Sequence, residues 1–213
     1  VVRRILSKEK IMKLYYSPGA CSLSPHIVFC ELGLAPTLVK VSTKTHQTED
    51  GADFYGINPK GYVPVLELDN GQRLTEGPVI VQYLADLAPE KKLVPANGTF
   101  ERYRLQEWLG YINSEVHKLF GPLFDPTISV EQKAATQKRI GARLDWIAPQ
   151  LADKYFLLGE QFTVADAYLF TILNWTGFVG MDLGKWPTLA NYVGRIAARP
   201  AVQAALKAEG LLG

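Results

Sequence analysis

An α/β N-terminal half followed by an all-helical C-terminal half is the fold class that this 213-residue sequence predicts. Two observations carry it. Up to Leu87, short β-favouring runs alternate with helical patterns and finish in a hairpin, whereas beyond Gly98 every periodic stretch is helical. Between them, Leu87–Gly98 reads LAPEKKLVPANG, with two prolines, several charges and a glycine, as an interdomain linker does.

Each element has its local reason. Lys13–Tyr16 is a short strand carried by β-favouring tyrosines. Ser17-Pro18-Gly19 is turn punctuation. Ser24–Leu32 follows as a helix, with Pro25 in the first turn, where a missing N–H is harmless, and Gly33 ends it. Thr37–Val41 alternates as a second strand, Ser42–Ala52 is a polar loop, and Phe54–Ile57 is a short helix stopped at Asn58-Pro59. Val65–Leu68 and Arg73–Thr75 flank Asp69-Asn70-Gly71, a hairpin signal, and Pro78–Leu87 is a helix with a full apolar face. In the second half, Phe100–Phe120 is long and amphipathic. Val130–Lys154 is a second long helix, kinked or broken at Pro149. Phe162–Phe178 is strongly apolar and starts at Thr163, and Pro187–Arg199 is stopped by Pro200.

Composition narrows the function. The 23 Lys and Arg exceed the 21 Asp and Glu by only two, which argues against a dedicated nucleic-acid binder. No apolar run reaches the length of a membrane span. The opening VVRRILSKEKI lacks the apolar core of a signal peptide, and Val1–Ile11 reads as an extension ahead of a natural start at Met12. Two cysteines make neither a disulfide framework nor a zinc site, and fit a reducing, cytoplasmic setting.

Cys21 sits where a helix begins. The partial positive charge there favours a thiolate and lowers its pKa. Read locally, Cys21 is equally a small, partly buried loop residue. Cys30 lies nine residues on, about 13 Å along the helix and on its opposite face, too far for a disulfide. Val63-Pro64 places a proline at a strand start, where it marks a tight turn or merely an edge. Thr75-Glu76-Gly77-Pro78 ends a strand and opens a helix. Free N–H groups there bind a carboxylate, and Glu76 can accept from an ammonium, although a plain capped helix reads the same way. Ser114, His117 and Lys118 stand three and four residues apart and so share a helix face. Thr163-Val164-Ala165-Asp166 is a capping-box pattern, assigned to folding rather than catalysis.

With these features, the segments MKLYYSPGACSLSPHIV, NPKGYVPVLELDNG, LTEGPVIVQYLADL, SEVHK and FTVADAYLF resemble the bacterial beta-class glutathione S-transferases from Met12 to the C-terminus. The resemblance implies the glutathione transferase fold: a thioredoxin-like α/β domain over residues 12–88, a linker over 89–98, and an all-α domain over 99–213 holding the electrophile site. It implies glutathione as co-substrate without a metal, and a cytoplasmic homodimer that conjugates small electrophiles in detoxification. It places Cys21 beside the glutathione sulfur, pairs the Val63 backbone ahead of a cis Pro64 with the cysteinyl part, and sets Glu76 and Gly77 on the γ-glutamyl end. Ser114 and Glu115 would reach the neighbouring subunit's glutathione. His117 and Lys118 would face the thiol and the cleft. Cys21, Ser22 and His117 are then the expected donors to a glutathione thiolate.

Three positions depart from the family's pattern. Gly77 replaces a serine found in the wider superfamily, His46 stands where a lysine often meets the glycyl carboxylate, and Gly110 replaces an asparagine. Trp108, Trp146, Trp175 and Trp186 fit core or interface, with Trp175 and Phe178 also candidates for the electrophile pocket. Two other activities fit the same fold. Cys21 could run monothiol disulfide transfer on glutathione, or the chain could bind apolar ligands or partner proteins without catalysis.

Overall fold

Five strands form one mixed sheet at the N-terminal end of the computed structural model, which describes residues 12–212. The expected extension over residues 1–11 lies outside them. The strands are β1 (Lys13–Tyr16), β2 (Thr37–Ser42), β3 (Gln47–Thr48), β4 (Val65–Glu67) and β5 (Arg73–Thr75), in the spatial order β3-β2-β1-β4-β5. β1 runs parallel to β2 and antiparallel to β4, and β4 pairs antiparallel with β5. The parallel pair needs a crossover, which α1 (Leu23–Leu32) supplies. Gly33 caps α1 in the left-handed region at φ 70°, where a side chain would be strained. α2 (Gly77–Asp86) follows β5 with Pro78 in its first turn.

The rest is helical: α3 (Phe100–Tyr111), a π-helical turn over Ile112–His117, the single turn α4 (Lys118–Phe120), α5 (Val130–Gln150), α6 (Val164–Phe178), α7 (Pro187–Ala197) and α8 (Pro200–Ala208). No helix among the described residues is long and apolar enough to cross a membrane. α6 is buried along nearly its whole length, which explains its unbroken apolar composition. One apolar core runs from Leu14 and Ile27 through Ile80 to Leu169 and Val202, so both halves share it. A smaller core of Tyr15, Val41, Phe54, Val63 and Val65 lies under the loop that carries Pro64.

Four expectations change. The polar loop over Ser42–Ala52 contains β3, too short to show alternation, held by Val41 and Ser42. The long helix expected over Phe100–Phe120 is interrupted by the π turn, which lies just where SEVH stands. Pro149 does not break α5, because it falls in the last turn. Pro200 stops one helix and opens another, being well suited to a first helical position.

Candidate active site

A cleft of about 590 Å³ opens between the sheet edge and the helical half. Its sheet-side wall comes from Cys21, the Lys60–Pro64 segment, and Thr75–Pro78. Its helical wall comes from Asn113, His117, Lys118, Phe124, Tyr168 and Trp175. Of the residues picked out in the sequence, the fold brings Cys21, Val63, Pro64, Glu76, Gly77, His117, Lys118 and Trp175 to this cleft.

Cys21 precedes the α1 N-cap Ser22, and its Sγ donates to the Val63 carbonyl at 3.3 Å. The peptide bond from Val63 to Pro64 is cis. Desolvation pushes the Cys21 thiol up to about 12, although the N–H groups of Cys21 and Ser22 pull the other way. The lowered pKa expected from the helix start is thus overturned. Desolvation outweighs the pull of the two N–H groups at the helix end, and Cys21 is a protonated donor at neutral pH.

Glu76 holds a left-handed φ of 69°, uncommon for a residue with a side chain, at the N-cap of α2. Its carboxylate meets Lys60 Nζ at 2.5 Å, and Lys60 also donates to Thr75 Oγ1 at 2.8 Å. His117 Nδ1 lies 2.6 Å from the Tyr168 hydroxyl, which donates to Asn113 Oδ1 at 3.0 Å. Burial, assisted by Lys118, pushes the His117 imidazole down to about 4, so it is neutral at physiological pH. Burial likewise raises the Tyr168 phenol, which stays protonated.

The segment carrying Cys21 is tied down from the far end of the chain. The Gly19 N–H donates to Glu209 Oε2 at 2.8 Å, and the Gly19 carbonyl accepts from Trp175 Nε1 at 2.7 Å. Glu209 Oε1 lies 2.8 Å from His26 Nδ1, both side chains being buried. Burial alone would lower the His26 pKa. The Cys30 side chain and the Glu209 carboxylate outweigh it and push the imidazole up to about 9.

Five expected residues lie elsewhere. Ser22 is buried, its hydroxyl spent on the Ser17 N–H and carbonyl, so its side chain offers a ligand no donor and only its backbone N–H points to the Cys21 sulfur. His46 Nδ1 donates to the Gly61 carbonyl within its own loop and the ring packs on Tyr55 at 4.7 Å, away from the cleft lining. Gly61 must be glycine there, since a Cβ would come within 2.7 Å of the Tyr55 ring. Ser114 faces solvent, and Glu115 pairs with Arg143 at 2.9 Å on the outer surface. A turn closed by i→i+5 bonds takes more residues per revolution than an α turn. It therefore swings Ser114, three residues back, off the His117 face, while Asn113, four residues back, stays on it. Phe178 is 72% exposed and does not line the cleft.

The sequence reading missed Lys60, Asn113, Tyr168 and the His26–Glu209 pair. Lys60 sits inside the quoted NPKGYVPV segment, beside a glycine-led turn, and that was the available signal. No local pattern joins His26 to a glutamate 183 positions away.

Comparison with known proteins agrees with this architecture. The patterns described as glutathione S-transferase, N-terminal domain, and glutathione S-transferase, C-terminal domain, match residues 19–87 and 111–200. The chain is 45% identical over 200 residues to glutathione S-transferase GstA of Escherichia coli, covering 94% of this chain and 100% of that protein. A solved beta-class glutathione S-transferase of Sphingomonas chungbukensis is 50% identical, with a TM-score of 0.91 over 94% of this chain and 100% of the other. A sphingomonad glutathione S-transferase complexed with glutathione is 48% identical, with a TM-score of 0.90 over 93% and 99% of the two chains. With both domain patterns matched and identity this high over the full fold, the chain belongs to the glutathione S-transferase family, in its bacterial beta class.

Proposed function

We propose that the chain conjugates the glutathione thiol to electrophilic small molecules in this cleft, as a cytoplasmic detoxifying enzyme. In this reading residues 12–88 bind glutathione, 89–98 link, and 99–213 receive the electrophile. The observation that carries it is the Cys21 thiol on the cleft wall, beside the Val63 carbonyl and sharing the cleft with His117 and Tyr168. When glutathione binds, the Cys21 S–H turns from the Val63 carbonyl to donate to the glutathione sulfur, the backbone of Val63 pairs with the cysteinyl part instead, and glutathione supplies the nucleophile. Thiolate stabilisation beside a donor and a helix start lowers the barrier to attack on carbon. Trp175 and Phe124 offer the electrophile an aromatic wall.

The test is glutathione conjugation to a simple aryl halide, read beside intact mass after exposure to oxidised glutathione. Conjugation without a Cys21 adduct at neutral pH is the expected result. A rapid adduct without conjugation would favour disulfide transfer, and absence of both would favour a binding protein.

Charge matching supports glutathione as the ligand. The charged residues lining the cleft are Lys60, Glu76 and Lys118, two cations and one anion. Glutathione carries two carboxylates and one ammonium. Its ammonium competes with Lys60 for Glu76, while its α-carboxylate meets the Gly77 N–H at the start of α2. A displaced Lys60 then pairs with a glutathione carboxylate, the task expected of His46. Lys60→Met is therefore expected to raise the KM for glutathione about tenfold, equivalent to about 1.4 kcal/mol, with kcat little changed. A KM within twofold of the wild type would remove Lys60 from the binding site.

A homodimer fits the outward face, where Trp108, Tyr111 and Trp146 cluster beside the Glu115–Arg143 pair and Ser114. A second copy on this face would bring Ser114 and Glu115 to the neighbouring cleft. A monomeric mass by sedimentation would rule it out.

A further inference from the structure

We propose that Tyr168, held by Asn113, is a positioning residue that fixes the tautomer of His117, so that His117 Nε2 faces the cleft as a bare lone pair and accepts the glutathione thiol proton. This rests on the reading of the cleft as a glutathione site, but the tautomer itself is independent of it.

Proton counting leads there. A phenol has one proton to donate. Tyr168 gives it to Asn113 Oδ1 at 3.0 Å. Toward His117 Nδ1, at 2.6 Å, the phenol oxygen must therefore accept, so Nδ1 carries the hydrogen. A neutral imidazole has one N–H, which leaves Nε2 unprotonated. Nε2 has no hydrogen-bond partner among the described residues and keeps solvent contact, in a side chain that lines the cleft. The ring is clamped as well as hydrogen-bonded. Tyr168 and Trp175 pack edge-on against it, with centroids at 5.8 and 4.9 Å. Asn113 and His117, four residues apart, lie on one side of the π turn, facing Tyr168 on α6.

The consequence adds a step to the expectation of His117 as a donor to the thiolate: Nε2 first takes the thiol proton and only then donates it back as a hydrogen bond. A bare Nε2 can only accept. The glutathione S–H bond breaks, its electron pair stays on sulfur, and the proton forms the Nε2–H bond of an imidazolium. That cation keeps its Nδ1–H on Tyr168, and the new thiolate beside it supplies the stabilisation that burial and Lys118 deny the imidazolium in the unliganded protein. After the electrophile's leaving group departs as an anion, Nε2 returns the proton to it or to water. This is the general logic of a base oriented by a third group.

The chain has three histidines, so ring-nitrogen NMR on the selectively labelled protein is uncrowded, and His117→Gln assigns the signal by its loss. The expected wild-type signature is a protonated Nδ1 and an unprotonated Nε2. Tyr168→Phe keeps the ring volume but removes the acceptor. Asn113→Leu frees the Tyr168 proton to turn toward Nδ1. Both variants are expected to move the proton to Nε2 and to lower kcat at least tenfold, with the KM for glutathione changed by less than about twofold. Nε2–H in the wild type, or ring nitrogens unchanged in both variants, overturns the proposal. The spectrum needs neither glutathione nor electrophile, so a failure of the conjugation reading would show in the kinetics alone.

Discussion

Replacing Asp166 by alanine is expected to cost the fold about 3–5 kcal/mol, read as a large drop in the denaturant midpoint. Asp166 is fully buried at the start of α6. Its two oxygens accept from the Leu157 and Thr163 N–H groups at 2.8 Å each, the Thr163 hydroxyl at 2.9 Å and the Tyr192 hydroxyl at 2.8 Å. Alanine leaves all four donors buried without a partner. Two of them belong to the N-cap of the helix at the centre of the core, one to the preceding loop, and one to α7. A loss at one residue therefore loosens three segments. Thr163→Ala removes one hydroxyl and should cost only about 1 kcal/mol. An Asp166→Ala midpoint no lower than that of Thr163→Ala would show that the carboxylate does not organise this junction.

Glu209→Ala is expected to lower stability by a similar amount and to impair conjugation as well. It strips the partner from a buried imidazolium and from the Gly19 N–H, and breaking a buried pair from one side costs about 3–5 kcal/mol. The Gly19 loss matters for function because Cys21 lies two residues on, in the segment that Glu209 and Trp175 hold. The wild type should also show the pair in its pH dependence. The folded chain holds the His26 proton up to about pH 9, whereas the unfolded imidazole titrates near 6.5. The stabilisation is therefore complete below about pH 6.5 and fades as pH rises through about 9, by up to about 3 kcal/mol. In Glu209→Gln this decline should be much shallower. A wild-type stability that stays level between pH 6.5 and 9 would contradict the charged His26.

Two kinds of residue separate what could be read early from what could not. The Asp-Asn-Gly hairpin, the Gly33 cap and the Thr163–Asp166 box were legible because each acts within a few residues of itself. The same holds for the placement of Cys21 at one helix start and Glu76-Gly77 at another, which the local backbone pattern sets. Side-chain availability was not legible. Ser22 and His46 have suitable chemistry, but their hydrogen bonds go to Ser17 and Gly61. Cys21 has the expected position and the opposite pKa shift, because desolvation depends on what packs over it.

The sequence by itself determined the two-part architecture, most helix and strand positions, and the backbone corners of the cleft, since these follow from propensity, turn chemistry and periodicity. The tertiary structure alone decided that Asn113 rather than Ser114 joins His117, that Lys60 holds Glu76, and that Glu209 secures the Cys21 segment. A single π turn, and contacts between residues far apart in the chain, set those choices. Local patterns do not encode the direction a side chain takes once other elements pack against it.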